Sequence, residues 1–248
     1  MPAERALALV VRGFDWSETS RIITLFTREF GKVRALAKGG RRLKSNFDVA
    51  FDLLNVCHVM VIRKAHGGLD LLTEAQLAER FPVLRQDLSA LYAGYYIAEL
   101  LADGTQDYDP HPELFDAALA TLRELGRGDV LDAVAAFELV WLHELGYSPR
   151  LDACTSCGAD VLVPGSERVL FSASAGGVVC SRCGPAAADR RSLSVSGLAA
   201  LRGLAGGGQG PGVKLTPGDR RELRGLLGEL VSFVLGRRPR LLGYLEPR

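Results

Sequence analysis

The first 80 residues alternate between short runs of apolar, β-branched and aromatic residues and short polar breaks. Five such runs follow one another, and the longest polar break separates the third run from the fourth. Short strands at even spacing are typical of small β-barrels. The pattern therefore predicts a five-stranded barrel of the OB type over residues 1–80, although periodicity alone does not separate it from other small β folds. The expected strands are Leu7–Arg12, Ser20–Thr27, Lys32–Lys38, Leu53–Lys64 and Leu69–Ala75.

After residue 80 the hydrophobic positions recur at three and four residues, which is the period of an α-helix. The last predicted helix carries a stripe of leucines that we expect to pack on the helices of residues 81–150. We therefore expect an α+β multidomain chain, in which residues 81–150 and 190–248 form one discontinuous α-helical domain around an insert of residues 151–189. The predicted helices begin after Pro82, at Pro112, near Asp129, at Ser194 or Ser196, and at Thr216.

Four cysteines in two matched CxxCG pairs lie within that insert. Two thiolates three residues apart, followed by a glycine that takes a positive φ, can form a tight knuckle. Two knuckles bring four sulfurs to the tetrahedral Zn–S distance of about 2.3 Å, and four cysteine ligands leave no open position for a substrate. We interpret the set as one structural Zn²⁺ per chain, with two disulfides or an iron–sulfur cluster as alternatives. The predicted ligands are Cys154, Cys157, Cys180 and Cys183.

The residues between the two cysteine pairs are rich in valine and glycine, which predicts the arms of a zinc ribbon. The expected arms are Val161–Val163, Val169–Phe171 and Val178–Val179, with a turn at Pro164-Gly165. The insert is therefore interpreted as a small unit that is held together by its metal ion.

The net charge of +1 hides a segregation of charge along the chain. Residues 1–80 hold 13 Lys/Arg against 9 Asp/Glu, residues 81–150 hold 4 against 12, and residues 151–248 hold 13 against 8. Two basic segments that flank an acidic one indicate a protein that binds a polyanion on selected faces.

The densest basic stretch spans the third predicted strand and the polar break after it. Alternation predicts Arg34 and Lys38 on one face of that strand, with Leu36 and the small residues on the other. A basic surface beside a sheet is used by binders of single-stranded nucleic acid, while a solvated loop is the simpler alternative. The candidate nucleic-acid contacts are Lys32, Arg34, Lys38, Arg41, Arg42 and Lys44, with Arg237 and Arg238 near the carboxyl terminus.

No recognisable set of nucleophile, base and acid is present in the sequence. The four histidines are scattered, and His143-Glu144 lacks the second histidine of a zinc-protease HExxH motif. The glycine run of residues 206–212 matches neither a phosphate-binding P-loop nor GxGxxG, and it is predicted to be a loop. We therefore expect a binding protein and no catalytic residue, with an unrecognised enzyme as an alternative.

No apolar run is long enough to span a membrane, and the amino terminus lacks the apolar segment of an export signal. These features predict a cytoplasmic protein without a membrane partner, a compartment in which zinc thiolates are more typical than disulfides. The fifth cysteine, Cys57, is expected in the core. The aromatic residues near the basic stretch are also expected in the core, with stacking on nucleic-acid bases as the alternative, and they are Phe14, Trp16, Phe47 and Phe51.

The order and spacing of several segments are distinctive as a set. They are Ala8–Arg12, Ser17–Thr27, Gly31–Val33, Ala37–Gly39, Phe137–Leu142, and Leu145–Pro149 leading into Cys154–Gly158. Together these segments resemble the bacterial RecO family of recombination mediators, and the resemblance extends from near residue 6 to the final helix.

The resemblance implies an amino-terminal OB-fold, a helical domain and an inserted zinc ribbon. It also implies a non-enzymatic role in recombinational DNA repair. Members of the family bind single- and double-stranded DNA, anneal complementary strands, and work with RecR to load RecA onto DNA coated by single-stranded-DNA-binding protein (SSB). Such a protein would be cytoplasmic and would associate with the nucleoid when bound to DNA. The alternative function is a zinc-ribbon adaptor that binds protein partners without direct DNA contact.

Overall fold

A computed structural model of the chain describes residues 3–40, 47, 50–64, 68–163, 165–206 and 215–246. Some sequence predictions fall outside these residues: the contacts Arg41, Arg42 and Lys44, the turn residue Pro164, and most of the glycine run. Within the described residues, no helix is both long enough and apolar enough to cross a membrane. The chain folds into two units, Met1–Arg127 and Gly128–Arg248, each packed mainly within itself. The domain boundaries proposed from the sequence stay a prediction.

Five strands of the first unit form a closed barrel, which confirms the predicted fold class. Neighbouring strands follow the order β1-β2-β3-β5-β4, and β4 closes the barrel on β1. All neighbours are antiparallel except β3 and β5, which run parallel over a short stretch. The strands are β1 (Ala3–Asp15), β2 (Arg21–Thr27), β3 (Gly31–Ala37), β4 (Val56–Ile62) and β5 (Asp70–Glu79).

A β-bulge changes the direction of the side chains along β1. Val10 pairs with Leu25, and the next pair is Arg12 with Thr24, so Val11 is an extra residue. Before the bulge, even-numbered side chains of β1 such as Val10 lie in the barrel core. After the bulge, the even-numbered residues Arg12 and Phe14 are exposed. An extra residue shifts the pleat by one position, and the strand thereby serves two environments.

The alternation of β3 differs from the prediction at one residue. Val33, Ala35 and Ala37 lie in the barrel core, and Arg34 is exposed on the outside. Leu36 is half-buried and shares the outward face with Arg34, because successive side chains of a strand point to opposite faces. The predicted placement of Leu36 on the other face is therefore wrong.

Two helices pack on the outside of the barrel within the first unit. A short 3₁₀ helix, Pro82–Arg85, precedes α1 (Leu88–Gly104), and α2 spans Pro112–Glu124. The side chain of Asp87 caps α1 by accepting a hydrogen bond of 2.9 Å from the N–H of Ala90. Both helices contact β2, and that strand's outward side chains are buried.

The connection between α1 and α2 crosses the start of β3 at Gly31. The N–H of Tyr108 donates to the carbonyl of Lys32 at 3.0 Å. Gly31 has a φ of 67°, and a Cβ there would lie 1.9 Å from the carbonyl oxygen of Asp109. Only glycine meets both constraints. The crossing therefore brings the acidic residues of this connection onto the basic strand.

The described residues of the second unit contain three α-helices, and α3 packs against both α4 and α5. They span α3 (Val130–Glu144), α4 (Val195–Ala205) and α5 (Pro217–Leu235). The predicted caps are confirmed at Asp129, at Ser194 rather than Ser196, and at Thr216, which forms a capping box with Asp219. The leucine stripe of α5 is buried in this unit.

Three short strands in the second unit form an antiparallel sheet in the order β7-β6-β8. They are β6 (Arg168–Ser172), β7 (Gly177–Val179) and β8 (Arg191–Ser194). The predicted arm Val161–Val163 is not a strand: the Asp160 carboxylate accepts a hydrogen bond from the N–H of Leu162 at 2.9 Å, which competes with strand pairing. The strand β8 was missed because a single buried residue, Leu193, lies between polar ones.

Candidate metal centre and nucleic-acid interface

The two cysteine pairs fold into matching knuckles. In each knuckle the glycine N–H donates to the carbonyl of the first cysteine at 2.8 Å, from Gly158 to Cys154 and from Gly184 to Cys180. The first knuckle is fixed to β7 by the N–H of Thr155, which donates to the carbonyl of Val178 at 2.9 Å. Cys180 follows β7 directly in the chain. The strand therefore brings the two pairs, distant in sequence, to one point.

The four cysteine sulfurs have the spacing of a metal site. All four Sγ atoms lie within 4.8 Å of one another, and the Sγ atoms of Cys157 and Cys180 are 3.7 Å apart. A tetrahedron with metal–sulfur bonds of about 2.3 Å has edges of about 3.8 Å. Cys154 and Cys180 are buried, whereas Cys157 is exposed. The cluster can hold a metal ion, and the predicted quartet is the set of residues that the fold brings together.

The two knuckle glycines are required for different reasons. Gly158 has a φ of 71°, which confirms the positive φ that its position predicts. Gly184 does not share this conformation and instead begins a short 3₁₀ helix. A Cβ at Gly184 would lie 2.4 Å from a methyl group of Leu170. The second glycine is therefore needed for space against β6.

Hydrogen bonds to the sulfurs favour ionised thiols. Burial raises the pKa of the Cys154 thiol, but backbone N–H groups, chiefly that of Cys180, outweigh it and lower the pKa to about 6. The backbone N–H of Cys183 lowers the pKa of Cys180 in the same way. In contrast, hydrogen bonds to Cys157 and Cys180 raise the pKa of Cys183 to about 12. Four adjacent thiolates repel one another, so full ionisation requires a cation among them.

Arg182, within the second knuckle, has a charge partner in the same cluster. Its pKa is raised, first by the charge of Cys157 and then by a hydrogen bond to Cys180. Its positive charge is therefore directed towards the sulfurs.

Lys32, a candidate nucleic-acid contact, is largely shielded from solvent. Its ammonium donates to the carbonyl oxygens of Ala102 and Thr105 at 2.8 and 2.5 Å, near the end of α1. The side chain is 12% exposed. A cation at the carboxyl end of a helix satisfies carbonyl groups that have no partner within the helix. This geometry supports a cap for α1, and it does not support a phosphate contact by Lys32.

Two arginines on the outer face of the barrel project outward and pair with one acid at the end of α1 and one in the connection that follows it. Arg34 on β3 is 59% exposed and lies 2.8 Å from Asp107, while Arg12 on β1 lies 2.7 Å from Asp103. Thr24 of β2 pairs with both arginines in the strand register. Exposed ion pairs contribute at most about 1 kcal/mol, so another anion can replace these carboxylates. Arg34 is positioned to bind an anion, as is Arg12, which sequence reasoning missed.

Lys38 is exposed just beyond the end of β3. Among the described residues it has no ion-pair partner, in contrast to Arg34. The next basic residues of the predicted cluster lie outside the described part of the chain. Lys38 is therefore the described member of the cluster whose charge is most available.

Arg237 and Arg238 follow α5, which ends at Gly236 in a left-handed conformation. Arg238 is 60% exposed and pairs with Glu246. The guanidinium of Arg237 donates to the carbonyl of Arg238 at 3.3 Å. Their role in nucleic-acid binding stays a prediction.

Two exposed aromatic residues were wrongly expected in the core. Phe14 is 48% exposed and Trp16 is 64% exposed, at the hairpin between β1 and β2. Phe47 and Phe51, in contrast, are buried, with ring centroids 5.0 Å apart. The polar run Ser17–Ser20 that follows Trp16 is the signal that could have placed these aromatics at a turn.

Two family models match the chain, one after the other. The model described as "Recombination protein O N terminal" matches residues 1–81, and the model described as "Recombination protein O C terminal" matches residues 85–242. Together they cover almost the whole sequence.

Curated relatives match over nearly their full lengths. A protein from Rhodopirellula baltica named "DNA repair protein RecO" is 39% identical over 267 aligned residues, covering 98% of each chain. Proteins of the same name from Anaeromyxobacter dehalogenans (strain 2CP-1) and Myxococcus xanthus are 35% and 34% identical. Both alignments cover 96% of this chain, with 94% and 95% of the relative.

Proposed function

The chain belongs to the RecO family of DNA repair proteins, and from this premise we propose that it is a recombination mediator that works by binding. It binds single- and double-stranded DNA and anneals complementary strands. With RecR, it helps to load RecA onto DNA coated by SSB. The observation that carries the proposal is the match of both family models, in order, over almost the whole chain.

DNA binding in this proposal is electrostatic and independent of base sequence. Arg34 on β3 and Lys38 just beyond it, together with Arg41, Arg42 and Lys44, neutralise phosphates and release counterions. Arg237 and Arg238 add phosphate contacts from the second unit. Lys32 is left out because its ammonium is bound by the end of α1. Two complementary strands whose charges are shielded can approach each other, so annealing needs no chemical step and no catalytic residue.

The metal ion in this proposal is one structural Zn²⁺, held by Cys154, Cys157, Cys180 and Cys183. The sulfur spacing and the lowered pKa values of Cys154 and Cys180 support it. When bound, zinc supplies a cross-link between the two knuckles and neutralises the thiolates. The role of the zinc ion is to stabilise the sheet of the second unit.

The protein is proposed to act in the cytoplasm, at the nucleoid when it is bound to DNA.

Strand annealing is the activity that tests the proposed function. Two complementary oligonucleotides, one with a donor dye and one with an acceptor, are mixed with the full chain, with and without SSB. We expect annealing without nucleotide on both naked and SSB-coated strands. Failure to bind either strand by fluorescence anisotropy would contradict the proposal and favour an adaptor that contacts only proteins.

Reversal of three basic charges should remove most DNA affinity. In a chain carrying Lys38→Glu, Arg41→Glu and Arg42→Glu, we expect single-strand affinity to fall at least tenfold at about 0.1 M salt. The slope of log affinity against log salt should become shallower by about 0.7 for each lost contact. The matched control reverses Arg85 and Arg127, whose side chains are 67% and 71% exposed, and should leave the affinity nearly unchanged.

A further inference from the structure

The hairpin between β1 and β2 ends in two aromatic side chains that face solvent. Phe14 is the next-to-last residue of β1, and Trp16 begins the loop. The loop itself is ordered by backbone hydrogen bonds, from the N–H of Trp16 and of Ser17 to the carbonyl of Ser20, at 3.0 and 3.3 Å. Asp15 and Arg21 close its base with an ion pair of 3.2 Å. The two aromatic rings are therefore carried by a hairpin of defined conformation.

Phe14 also begins a row of apolar side chains across the outer face of the barrel. It pairs with Ile22 on β2, Ile22 pairs with Leu36 on β3, and Leu36 pairs with Leu71 on β5. Ile22 is buried at 5% exposure, whereas Leu36 and Leu71 are half-buried and contribute partly open surface to the row. Strands lie about 4.8 Å apart, so the row extends for roughly 14 Å. Its open surface lies at Phe14 and again at Leu36 and Leu71, and planar rings can lie against these two parts.

Cations border this row on both sides. On one side, Arg12 and Arg34 are each two residues from a member of the row, Arg12 from Phe14 and Arg34 from Leu36. On the other side, Lys38 is two residues beyond Leu36 on the same outward face. An apolar and aromatic row between cations is complementary to a strand of unpaired nucleotides, whose bases are flat and apolar and whose phosphates are anionic. Duplex DNA buries its bases in the stack and offers no such faces.

We propose that Phe14, Trp16 and the row that Phe14 begins form a stacking site for unpaired bases of single-stranded DNA. Arg12, Arg34 and Lys38 hold the flanking phosphates, with the first two exchanging Asp103 and Asp107 for phosphate. The inference rests on the proposed function and deepens it, because it assigns the binding of single strands to particular side chains. A docked protein is the competing occupant, and the experiment distinguishes the two.

Tryptophan fluorescence reports directly on this site. The chain has two tryptophans, and Trp141 is fully buried, so a change in emission on binding comes from Trp16. The full chain is titrated with a thymine oligonucleotide and with an abasic oligonucleotide of equal length, which has the same phosphates and no bases. We expect the thymine strand to quench Trp16 emission and the abasic strand to leave it nearly unchanged.

Affinity measurements by anisotropy complete the test. Trp16→Ala and Phe14→Ala should each weaken binding of the thymine strand about tenfold, while affinity for the abasic strand and for duplex DNA stays within about twofold. Because both residues are exposed, neither variant should unfold, and thermal denaturation checks this. Phe233→Ala, at an exposed phenylalanine of α5 that is 53% accessible, is the matched control and should bind as the parent chain does.

The possible outcomes separate this inference from the proposed function. If the parent chain binds thymine and abasic strands equally and Trp16→Ala changes neither affinity, the stacking site is overturned while DNA binding stands. In that case the exposed row is a surface for a protein. If the parent chain binds no DNA at all, both the stacking site and the proposed function are overturned.

Discussion

Glu138 and Arg224 form an ion pair in the interior of the second unit, where their side chains are 0% and 2% exposed. A charge taken out of water is costly unless its partner stays beside it. The pair joins α3 to α5, as does the pair of Arg220 with Asp132 at 2.7 Å, and it fixes the pairing of two helices whose apolar contacts are adaptable. At the residue scale, one buried side chain therefore determines how α3 and α5 pack together.

Removal of one member of this pair should be strongly destabilising. Glu138→Ala leaves Arg224 as an uncompensated buried charge, and we expect the free energy of unfolding in urea to fall by about 3–5 kcal/mol. The double variant Glu138→Leu with Arg224→Met removes both charges and should lose less than the single variant. The exposed pair Arg127–Glu124 is the control, because Glu124→Ala should cost no more than about 1 kcal/mol. Equal losses in the buried and exposed pairs would contradict this account.

Single residues also show which features of the structure the sequence could predict and which it could not. Spacing alone identified the cysteine quartet, because metal geometry constrains sulfurs and little else about the surroundings. Spacing could not show that Lys32 is shielded while Arg34 is exposed, because both are basic residues on the outward face of one strand. The difference depends on the end of α1, which lies about 70 residues away in the chain. Phe14 and Trp16 were misplaced because hydrophobicity predicts burial and does not register that a hairpin ends there.

At the scale of elements, the sheet beside the cysteine cluster consists of three short strands. Strands of three to five residues provide few backbone hydrogen bonds and little buried area. Asp189 adds local support by accepting hydrogen bonds from the hydroxyls of Ser172 and Ser174, at 2.7 and 2.8 Å. Such a sheet depends on a cross-link at its knuckles.

Loss of two cysteines should therefore remove both the zinc and the order of the ribbon. In the variant Cys154→Ser with Cys157→Ser, we expect the zinc content to fall from one per chain to near zero, with a lower melting temperature. Metal analysis by mass spectrometry and circular dichroism measure the two effects. Cys57→Ala is the control: burial raises the pKa of that thiol to about 11, and it lies in the barrel core. One zinc per chain still bound to the double variant would refute the assignment of the quartet.

The types of the helices and strands could largely be predicted from the sequence, and their boundaries could be predicted less well. The five barrel strands and the five helices follow from hydrophobic period and caps, which are local properties of the sequence. The β8 strand was missed since its pattern has one apolar residue, and its pairing with β6 involves residues 20 or more positions away. Caps such as Thr216 with Asp219 were recognisable because both partners lie within one turn.

For the whole molecule, the segregated charge of the sequence overstates the basic surface of the first unit. The end of α1 and the connection to α2 lie on the barrel, where Asp103 and Asp107 pair with Arg12 and Arg34. Net charge counted by segment cannot show this, because the pairing depends on a chain crossing at Gly31. Among the described residues of the basic stretch, Lys38 is the one that keeps its charge without an ion-pair partner.

Carboxylates of both units should make the molecule acid-sensitive. A hydrogen bond from Arg123 lowers the pKa of Glu79 in the first unit, and one from Thr216 lowers the pKa of Asp219 in the second. A carboxyl with a lowered folded pKa stabilises the fold above its ordinary value, 4.5 for Glu79 and 3.8 for Asp219. That stability is lost as the pH falls through the folded pKa.

We therefore expect the urea midpoint to be flat from pH 7 to about pH 5 and to fall steeply towards pH 3. Urea titrations at half-unit pH steps measure it. Glu79→Gln should lower the midpoint at pH 7 and reduce the fall below pH 5, because one of the linked protons is gone. An unchanged midpoint down to pH 3 would contradict the contribution of these carboxylates.

The bulge in β1 determines which substitutions this strand can accept during evolution. Its first half, with Ala6, Ala8 and Val10 in the barrel core, is constrained by volume, whereas its second half faces solvent and is free to vary in chemistry. Loss of the bulge with Val11 still in the chain would pair Val11 with Thr24 and Arg12 with Ile23, which would turn Arg12 and Phe14 inward and hide them in the core. The fold would thus lose its outward-facing chemistry through a shift of register, with every functional side chain still present in the sequence.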